Sequence, residues 1–249
     1  MRSVERDNDI LLSIIVPVFN EERVLRETID ELHAYFRENG AGLELIIVDD
    51  NSADRSLDII KEGFCKNSFA KILVNGTREK KAVSIKNGVK EARGRYVIFM
   101  DADLSVPLKE ISKVLGCIKN GADIIIGIRD EGNKDMVVRR PIHRKIISRI
   151  YNAVCGVLFF NGKIKDVGCG FKAFKTEIAR ELFSSLYIKT WVFDAEILSR
   201  ALKSNYEVTQ IFVNWTYKGH SKINIYRDLL VAFFELVRLK LFFMSGQED

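Results

Sequence analysis

Short apolar segments alternate with longer amphipathic ones along the first half of the chain. The apolar segments cover residues 13–19, 43–48, 71–74, 96–100 and 122–128. Because they are short and rich in β-branched and aromatic residues, they predict buried strands rather than helices. The stretches between them carry apolar residues at helical spacing. Nearly continuous apolar strands joined by helices indicate an α/β fold whose mostly parallel sheet is covered on both faces.

The second half of the chain predicts longer helices. We expect one helix over 139–160, a second from Trp191 to Lys203, and a third over 226–243 with a broad apolar face. A strand is expected over 208–213. The apolar stripe of the first of these helices consists of Ile142, Ile146, Ile147, Ile150, Val154, Val157 and Leu158.

Polar side chains stand at the ends of the predicted strands. They are Asn20, Asp49, Asp50, Asp101, Asp103 and Arg129. Parallel strands end at the same edge of a sheet, and in such sheets ligands bind beyond the carboxyl ends of the strands. The pattern therefore predicts a binding site along this edge.

Asp101 and Asp103 come directly after the most apolar part of the central strand. In extended backbone, residues two apart point to the same side. Two carboxylates aimed at one point suit Mg²⁺, which takes one or two protein carboxylates and completes its shell with substrate phosphates and water. The alternative is that both residues belong to a turn that caps the next helix.

Composition narrows the classes of partner. The chain has 249 residues, 47% of them hydrophobic, and a formal net charge of +5. This mild charge suits phosphates or an anionic surface, and we expect no nucleic acid partner. Four widely spaced cysteines predict neither a zinc cluster nor a disulfide framework and favour a reducing, cytosolic compartment. Residues 1–9 lack the apolar centre of a signal peptide, and no run of about 18 uncharged apolar residues predicts a transmembrane helix.

Several motifs, in order, resemble the family 2 inverting glycosyltransferases, and within them the polyprenyl-phosphate glycosyltransferases. The motifs of the first half are Val16-Pro-Val-Phe-Asn-Glu-Glu22, Ile47-Val-Asp-Asp-Asn-Ser-Ala-Asp54 and Asp101-Ala-Asp103. Those of the second half are Asp166-Val-Gly-Cys-Gly-Phe-Lys172, Trp191-Val-Phe-Asp-Ala-Glu196 and Val213-Asn-Trp-Thr-Tyr-Lys-Gly-His-Ser-Lys222. The second set is most similar to dolichyl-phosphate glucosyltransferases, with looser versions in dolichyl-phosphate mannose synthases. The resemblance covers residues 11 to 240.

The resemblance implies a Rossmann-like GT-A fold with a mostly parallel central sheet and C-terminal amphipathic helices. A catalytic domain over 1–222 would contain a nucleotide-binding half, 11–130, and an acceptor half, 131–222, followed by a helix within 223–249. The implied reaction moves a hexose from a nucleotide-diphosphate sugar, UDP-glucose first, to dolichyl or polyprenyl phosphate and inverts the anomeric centre.

Four alternatives remain open at this point. The first is a GDP-mannose-using dolichyl-phosphate mannose synthase, and the second is a family 2 enzyme that acts on a saccharide hydroxyl. The third is a haloacid-dehalogenase-type phosphohydrolase, because residues 97–103 also fit the apolar run and Asp-x-Asp of that class. The fourth is a sensor that binds nucleotide sugars without catalysis.

The resemblance also implies roles for single residues. The nucleotide sugar would contact Pro17, Phe19, Asn20, Glu21, Asp49, Asp50, Ser52, Lys81, Asp101, Ala102 and Asp103. Mg²⁺ or Mn²⁺ would be held by Asp101 and Asp103. The acceptor phosphate would contact Arg129, Arg144, Ser148, Ser221 and Lys222. Catalytic roles would fall to Asp101, Asp103, Arg129, Arg144 and Asp194. Asp194 and Glu196 are equally suited to capping the start of their helix, and the face with Arg144 and Ser148 to being a solvated basic surface.

Two departures from the family pattern affect these roles. The family segment Gly-Lys-Gly-Gly-Ala-x-x-Arg is matched at its basic positions by Lys81 and Lys86, but its glycines are absent, because the chain reads Glu79-Lys-Lys-Ala-Val. The close backbone approach that those glycines allow is therefore in question, and Lys81 would then be a solvated residue at a helix start. The family's Gly-Ser-Arg is Gly127-Ile-Arg129 here, which keeps the arginine and loses the serine.

The helices over 141–160 and 226–243 are amphipathic or broadly apolar and carry flanking lysines and arginines. That combination is typical of helices that lie in a membrane interface. We therefore expect a peripheral protein on the cytoplasmic face of a membrane. The alternatives are that the two helices pack on each other or form a homodimer contact.

Overall fold

The computed structural model describes residues 10–65, 67–129, 141–218 and 225–245. Its centre is one seven-stranded sheet with the strand order β3-β2-β1-β4-β6-β5-β7. The strands are β1 (Leu12–Val18), β2 (Leu43–Asp49), β3 (Ala70–Val74), β4 (Tyr96–Phe99), β5 (Ile124–Arg129), β6 (Lys172–Lys175) and β7 (Val208–Val213). All neighbouring pairs are parallel except the two that β6 makes with β4 and β5. The predicted α/β fold with a mostly parallel sheet is confirmed.

Eight α-helices are described, and they cover the sheet. They are α1 (Glu22–Asn39), α2 (Ser56–Phe64), α3 (Lys81–Glu91), α4 (Ile111–Lys119), α5 (Ile142–Cys155), α6 (Thr176–Ser184), α7 (Phe193–Lys203) and α8 (Ile225–Met244). A 3₁₀ turn, Leu108–Glu110, precedes α4, and a π-helical turn, Gly156–Phe160, follows α5. Side chains on the two faces of the sheet form two separate apolar cores.

The antiparallel direction of β6 was not anticipated. The loop before β6, residues 166–171, lies at the carboxyl edge of the sheet beside Asp101, so the strand that follows starts at that edge and runs back down. Sequence analysis also passed over α6. Its buried Ile178, Leu182 and Phe183 repeat at helical spacing, so the signal was present.

The long helix predicted over 139–160 needs correction. Residues 139 and 140 lie outside the described part of the chain, α5 begins at Ile142, and its last turn widens into a π-helix. Its predicted apolar stripe is only partly confirmed, because Val154 and Leu158 pack against the core whereas Ile142, Ile146, Ile150 and Val157 are exposed. The buried side chains of α5 are instead Tyr151 and Cys155.

The last helix, α8, is buried along one side and exposed along the other. Ala232, Leu236 and Leu239 are buried against the body of the protein. The exposed apolar side chains of α8 are Leu230, Val231, Phe233, Phe234, Val237, Leu241 and Met244. None of the helices in the described residues is sufficiently long and apolar to cross a membrane.

Candidate active site

A cleft of about 480 Å³ opens at the carboxyl edge of the sheet. The parallel register puts Val18, Asp49 and Val74 level with one another, so the loops after these strands converge. Many of the residues predicted to bind or react line the cleft: Pro17, Phe19, Glu21, Asp50, Lys81, Asp101, Ala102, Asp103, Arg129, Arg144 and Asp194. The structure therefore brings together residues that are more than a hundred positions apart in sequence.

Other predicted site residues lie behind this surface. Asn20 does not cap α1 with its side chain, since its Oδ1 accepts a hydrogen bond from the Ala53 amide at 2.7 Å. Ser52 donates its amide to the buried Asp49 carboxylate at 3.0 Å, and its hydroxyl accepts from the Asn20 amide at 3.0 Å. These residues support the cleft wall from outside it. Ser221 and Lys222 lie outside the described residues.

The two central carboxylates are presented by a turn, not by extended backbone. The strand β4 ends at Phe99, and the Leu104 amide donates to the Asp101 carbonyl at 3.0 Å. Thr28 of α1 donates its hydroxyl to the Ala102 carbonyl at 2.6 Å and fixes the middle of the turn. Asp103 accepts from the amide of Ser105 at 2.9 Å and from its hydroxyl at 2.8 Å. The turn alternative was thus partly right, although neither carboxylate caps the following helix.

The turn concentrates negative charge. Burial raises the pKa of Asp103, and the neighbouring Asp101 carboxylate raises it further. Lys81 forms an ion pair with Asp101. Burial lowers the pKa of the Lys81 ammonium, but the surrounding carboxylates outweigh burial and raise it. Lys81 is therefore part of the cleft and not a solvated helix start, whereas Lys86 donates to the Ser184 carbonyl at 2.7 Å.

The carboxylates of Asp101 and Asp103 suit a divalent cation that is shared with a phosphate ligand. Both line the cleft, and among the described residues no set of three or more acidic, histidine or cysteine side chains is arranged to enclose a metal. Mg²⁺ prefers such an open set of one or two carboxylates, because water and phosphate oxygens complete its octahedral shell. The donor atoms present therefore fit Mg²⁺ or Mn²⁺ better than a cation that needs an all-protein cage.

The glycine-rich loop 166–171 packs directly on this turn. A side chain at Gly170 would collide with the carboxylate of Asp101, so only glycine allows this approach. Beneath the loop, the fully buried Lys172 donates to the Cys169 carbonyl and forms an ion pair with Asp194 at 2.8 Å. Lys172 thus holds the loop and the carboxylate of Asp194 in one arrangement.

The two acidic residues at the start of α7 have different surroundings. Asp194 lines the cleft, and burial raises its pKa even though Lys172 and Lys81 oppose the shift. Glu196 is completely buried and accepts hydrogen bonds from the amides of Tyr187 and Ile188, and its carboxylate pairs with Arg200 at 2.9 Å. Glu196 is therefore structural: it anchors the segment before α7 and has no exposure to the cleft.

The segment before α3 adopts a backbone conformation that favours glycine, although the family's glycines are absent here. Lys80 has φ 72° and ψ 163°, a conformation that glycine adopts readily and other residues rarely do. Asp50 holds it there, because its Oδ2 accepts from the Lys80 amide at 2.8 Å and its Oδ1 from the Glu79 amide at 2.9 Å. Asp50 is thus occupied with backbone amides while it lines the cleft.

The opposite wall of the cleft carries guanidinium groups. Arg129 at the end of β5 forms a two-pronged pair with Asp166, at 2.7 Å from Nε and 2.6 Å from Nη2, and also donates to the Ser148 hydroxyl at 3.2 Å. Arg129 outweighs the effect of burial and lowers the pKa of Asp166. Arg144 lies 5.7 Å from the centre of the Tyr217 ring. Three predicted acceptor-phosphate residues therefore lie on this wall: Arg129 and Arg144 line the cleft, and Ser148 supports Arg129 from behind.

Comparisons with known proteins agree with this geometry. The family model described as Glycosyl transferase family 2 matches residues 13–183. The chain belongs to glycosyl transferase family 2. The haloacid-dehalogenase alternative is wrong, since the matched region includes the Asp101–Asp103 turn.

Relatives of this transferase carry consistent names. A protein of Drosophila melanogaster named dolichyl-phosphate beta-glucosyltransferase is 31% identical over 234 residues, which cover 89% of this chain and 72% of the relative. The protein of that name in Dictyostelium discoideum is 30% identical over 96% of this chain and 76% of the relative. The human protein of that name is 28% identical over 94% of this chain and 76% of the relative.

Among solved structures, glucosyl-3-phosphoglycerate synthase of Mycobacterium tuberculosis is similar in fold. Its complex with Mn²⁺, UDP and phosphoglyceric acid has a TM-score of 0.70 and 15% identity, and covers 95% of this chain and 78% of that one. Its complex with Mg²⁺ and UDP has a TM-score of 0.65 and 15% identity, and covers 91% of this chain and 79% of that one. At this identity the likeness shows the fold, which is the GT-A fold predicted for this transferase.

The cleft of the transferase also contains residues that sequence analysis did not single out. They are Val18, Arg78, Lys80, Ser84, Ser105, Gly168, Gly170, Trp191, Phe193, Trp215, Tyr217 and Lys218. Trp215 and Tyr217 belong to the last family motif, so a signal was available, and Arg129 lies 5.9 Å from the Trp215 ring centre. Trp191 packs on Tyr151, and the neighbouring Thr190 is hydrogen-bonded to Glu235 of α8. Arg78 lies 4.1 Å from the centre of the Phe19 ring, but no sequence signal marked it.

Proposed function

We propose that this transferase moves glucose from UDP-glucose to dolichyl or polyprenyl phosphate and produces a β-linked lipid-phosphate sugar. The observation that supports this best is the pairing of two unlike walls in one cleft. One wall presents the carboxylates of Asp101 and Asp103, and the other presents the guanidinium groups of Arg129 and Arg144. The names of the relatives support glucose as the sugar and dolichyl phosphate as the acceptor.

On the donor side, Asp101 and Asp103 would hold Mg²⁺ or Mn²⁺. When bound, the ion offsets the negative charge that builds up on the departing nucleoside diphosphate. Lys81 orients Asp101 through its ion pair and adds a positive charge next to the diphosphate. Phe19 and Arg78, which stack on each other in the cleft lining, would provide a flat surface against which the nucleoside is held.

On the acceptor side, the chemistry determines what the protein must supply. A phosphate monoester is an anion at neutral pH, with a second pKa near about 6, so it attacks without first losing a proton. A sugar hydroxyl, by contrast, needs a general base. The phosphate needs charge neutralisation and orientation, both of which guanidinium groups provide through charge-assisted hydrogen bonds. Arg144 is the better candidate for direct contact, because Arg129 is already engaged by Asp166.

Asp194 is the residue that a hydroxyl-accepting enzyme would use as its base. It lies in the cleft, but its carboxylate is engaged by the ammonium group of the buried Lys172 at 2.8 Å. This arrangement suits a structural carboxylate that holds Lys172, and it favours the phosphate acceptor. In-line attack by the phosphate from the arginine wall inverts the anomeric centre.

The experiment that tests this function supplies UDP-glucose, UDP-galactose, GDP-mannose or GDP-glucose together with a short polyprenyl phosphate and Mg²⁺ or Mn²⁺. We expect glycolipid and free UDP with UDP-glucose, and no product when EDTA replaces the metal. A parallel series replaces the polyprenyl phosphate with polyprenol or with free saccharides. Product with GDP-mannose as the only active donor would identify a dolichyl-phosphate mannose synthase. Product with a saccharide as acceptor would identify a family 2 enzyme that acts on a saccharide hydroxyl. Binding of a nucleotide sugar without formation of any product would support the non-catalytic sensor.

We further propose that α5 and α8 lie in the interface of a cytoplasmic membrane surface, where the lipid acceptor is found. Ile142, Ile146 and Ile150 of α5 are exposed, as is the apolar side of α8. Arg149 is exposed on α5 beside this apolar surface. Exposed apolar residues next to basic ones are typical of interfacial helices, which bind anionic lipid through both apolar burial and charge.

Flotation with vesicles that contain anionic lipid tests the membrane proposal. The wild-type protein should float at low salt and less at high salt, because charge attraction is screened. A triple variant on the exposed side of α8, Leu230→Ser, Phe234→Ser and Leu241→Ser, should float much less. Phe212→Ser is the control, because Phe212 is exposed on β7. Wild-type protein that stays in the supernatant and sediments as a dimer would instead support the homodimer.

A further inference from the structure

The backbone at Lys80 is strained. Lys80 precedes α3 with φ 72° and ψ 163°. Residues with a Cβ avoid this region, and where they adopt it the surrounding structure must hold them there. Such positions are concentrated at functional sites, so the strain calls for a functional explanation of this particular residue.

Asp50 is what holds Lys80 in this conformation. Its two carboxylate oxygens accept hydrogen bonds from the Glu79 and Lys80 amides, and Oδ1 also accepts from Asn75 at 2.7 Å. Asp50 is buried, and its own amide donates to the Val18 carbonyl at 2.8 Å. The strained residue is therefore tied through Asp50 to the ends of β1 and β2.

The side chain of Lys80 is exposed and lines the cleft. Its neighbour Lys81 is engaged by Asp101, whereas none of the described carboxylates forms an ion pair with Lys80. Both lysines stand at the start of α3, whose first turn contains no acidic residue. The positive end of a helix adds to their charge and attracts anions.

We infer that Lys80 is a second cationic contact for the diphosphate of the donor, beyond Lys81. This inference rests on the proposed function, in which the cleft binds a nucleoside diphosphate sugar. A glycine at position 80 would adopt the same backbone without strain but would contribute no charge. Lysine at position 80 therefore lowers the stability of the folded protein but strengthens donor binding.

The inference is tested by measuring two quantities on the same variants. One is the thermal unfolding midpoint, and the other is the Kd for UDP in the presence of Mn²⁺, by calorimetry, with GDP as a second probe. Lys80→Gly should raise Tm by about 2–4 °C, because strain is relieved. The same variant should bind UDP about tenfold more weakly, because a hydrogen bond to a charged group is lost. Lys80→Arg should keep the Kd for UDP within about twofold of wild type and Tm within about 1 °C, since the positive charge and the strained backbone remain.

Two control variants separate the causes. Asn205 has φ 59° in an exposed turn after α7, so Asn205→Gly relaxes a left-handed residue away from the cleft. Lys119→Ala removes an exposed lysine at the end of α4. Neither should change UDP binding. Wild-type UDP affinity in Lys80→Gly would overturn the inference, and so would a fall in both Tm and affinity, because the backbone would then not be strained. A wild-type protein that binds neither UDP nor GDP would overturn the proposed function itself.

Discussion

The two walls of the cleft are suited to holding an anion in opposite ways. We call the wall with Asp50, Asp101 and Asp103 the donor wall, and the wall with Arg129 and Arg144 the acceptor wall. The donor wall is built on carboxylates, and two of them, Asp50 and Asp103, accept hydrogen bonds from backbone amides. The acceptor wall is built on Arg129, whose charge is paired with Asp166, and on Arg144, which lines the cleft. A negatively charged ligand can approach Arg144 without a metal, whereas the carboxylates of Asp101 and Asp103 need a cation between themselves and the diphosphate.

The walls also differ in how the chain builds them. The donor wall follows β1, β2 and β4, which are adjacent parallel strands; the register puts the ends of β1 and β2 level, and β4 ends opposite Ile15 of β1. The acceptor wall collects residues from β5, α5, the 166–171 loop and the segment after β7. Side-chain pairs join these parts, above all Arg129 with Asp166. We therefore expect substitutions in the donor wall to affect chemistry and those in the acceptor wall to affect stability and acceptor use.

The largest effect is expected from Asp103→Ala. Transfer should fall by at least about a thousandfold, because the charge on the leaving diphosphate is no longer offset. The midpoint of thermal unfolding should change little, since the hydrogen bonds that Asp103 makes within the described residues go to the nearby Ser105. Asp58→Ala, an exposed acidic residue in the first turn of α2, is the control. Transfer at the control rate would mean that the donor wall does not depend on its carboxylates.

A second prediction tests the support of the acceptor wall. Asp166→Asn should lower the free energy of unfolding at pH 7 by about 3 kcal/mol, because the nearly buried Arg129 loses its partner charge. Asp123→Asn, which removes a more exposed pair with Lys175 at 2.7 Å, should cost about 1 kcal/mol or less. Urea unfolding measures both differences.

The same pair predicts a dependence on pH. The pKa of Asp166 is lower in the folded protein than in the unfolded chain, where it is about 3.9. The stability that the pair contributes is therefore complete above about pH 4 and is lost as the pH falls further. The difference between wild type and Asp166→Asn should shrink as the pH falls from about 4 to 2. A constant difference over this range would show that the charge on Asp166 is not what stabilises the wall.

The smallest of these effects concerns acceptor use alone. Arg144→Lys keeps the charge but loses the planar fork, so kcat/KM for polyprenyl phosphate should fall about tenfold at saturating donor. Donor KM should be unchanged, because the donor contacts the other wall. Arg149→Lys, one position from Ser148 and exposed, is the control. An unaltered acceptor dependence would remove Arg144 from the acceptor site and would make Asp194 the next residue to test.

Sequence patterns were most informative where local rules decide the structure. The apolar strands of the first half and the polar residues that follow them depend on short segments, and their common edge follows from parallel pairing. The direction of β6 depended instead on where the 166–171 loop packs. The Lys172–Asp194 pair and the contact of Arg144 with Tyr217 join residues that are distant in sequence. Without an observed fold, no spacing rule connects them.

Lys80 shows a different limit of sequence reasoning. The loss of the family's glycines suggested a backbone that no longer needs glycine, yet Lys80 has φ 72°, a conformation that favours glycine. Hydrogen bonds to Asp50 outweigh the intrinsic preference of lysine. The residue type at position 80 therefore does not by itself predict the backbone conformation there.

The hydrogen bond between Glu235 and Thr190 limits how this protein can be shortened or recombined. It joins α8 to the segment that carries Trp191, which lines the cleft. The side chains of Ala232, Leu236 and Leu239 are buried against the rest of the protein, so removal of α8 would also leave a cavity there. A truncated form made for crystallisation would thus lose part of its cleft support together with its apolar surface. Chimeras that exchange the last helix between relatives need to exchange residues 185–192 with it.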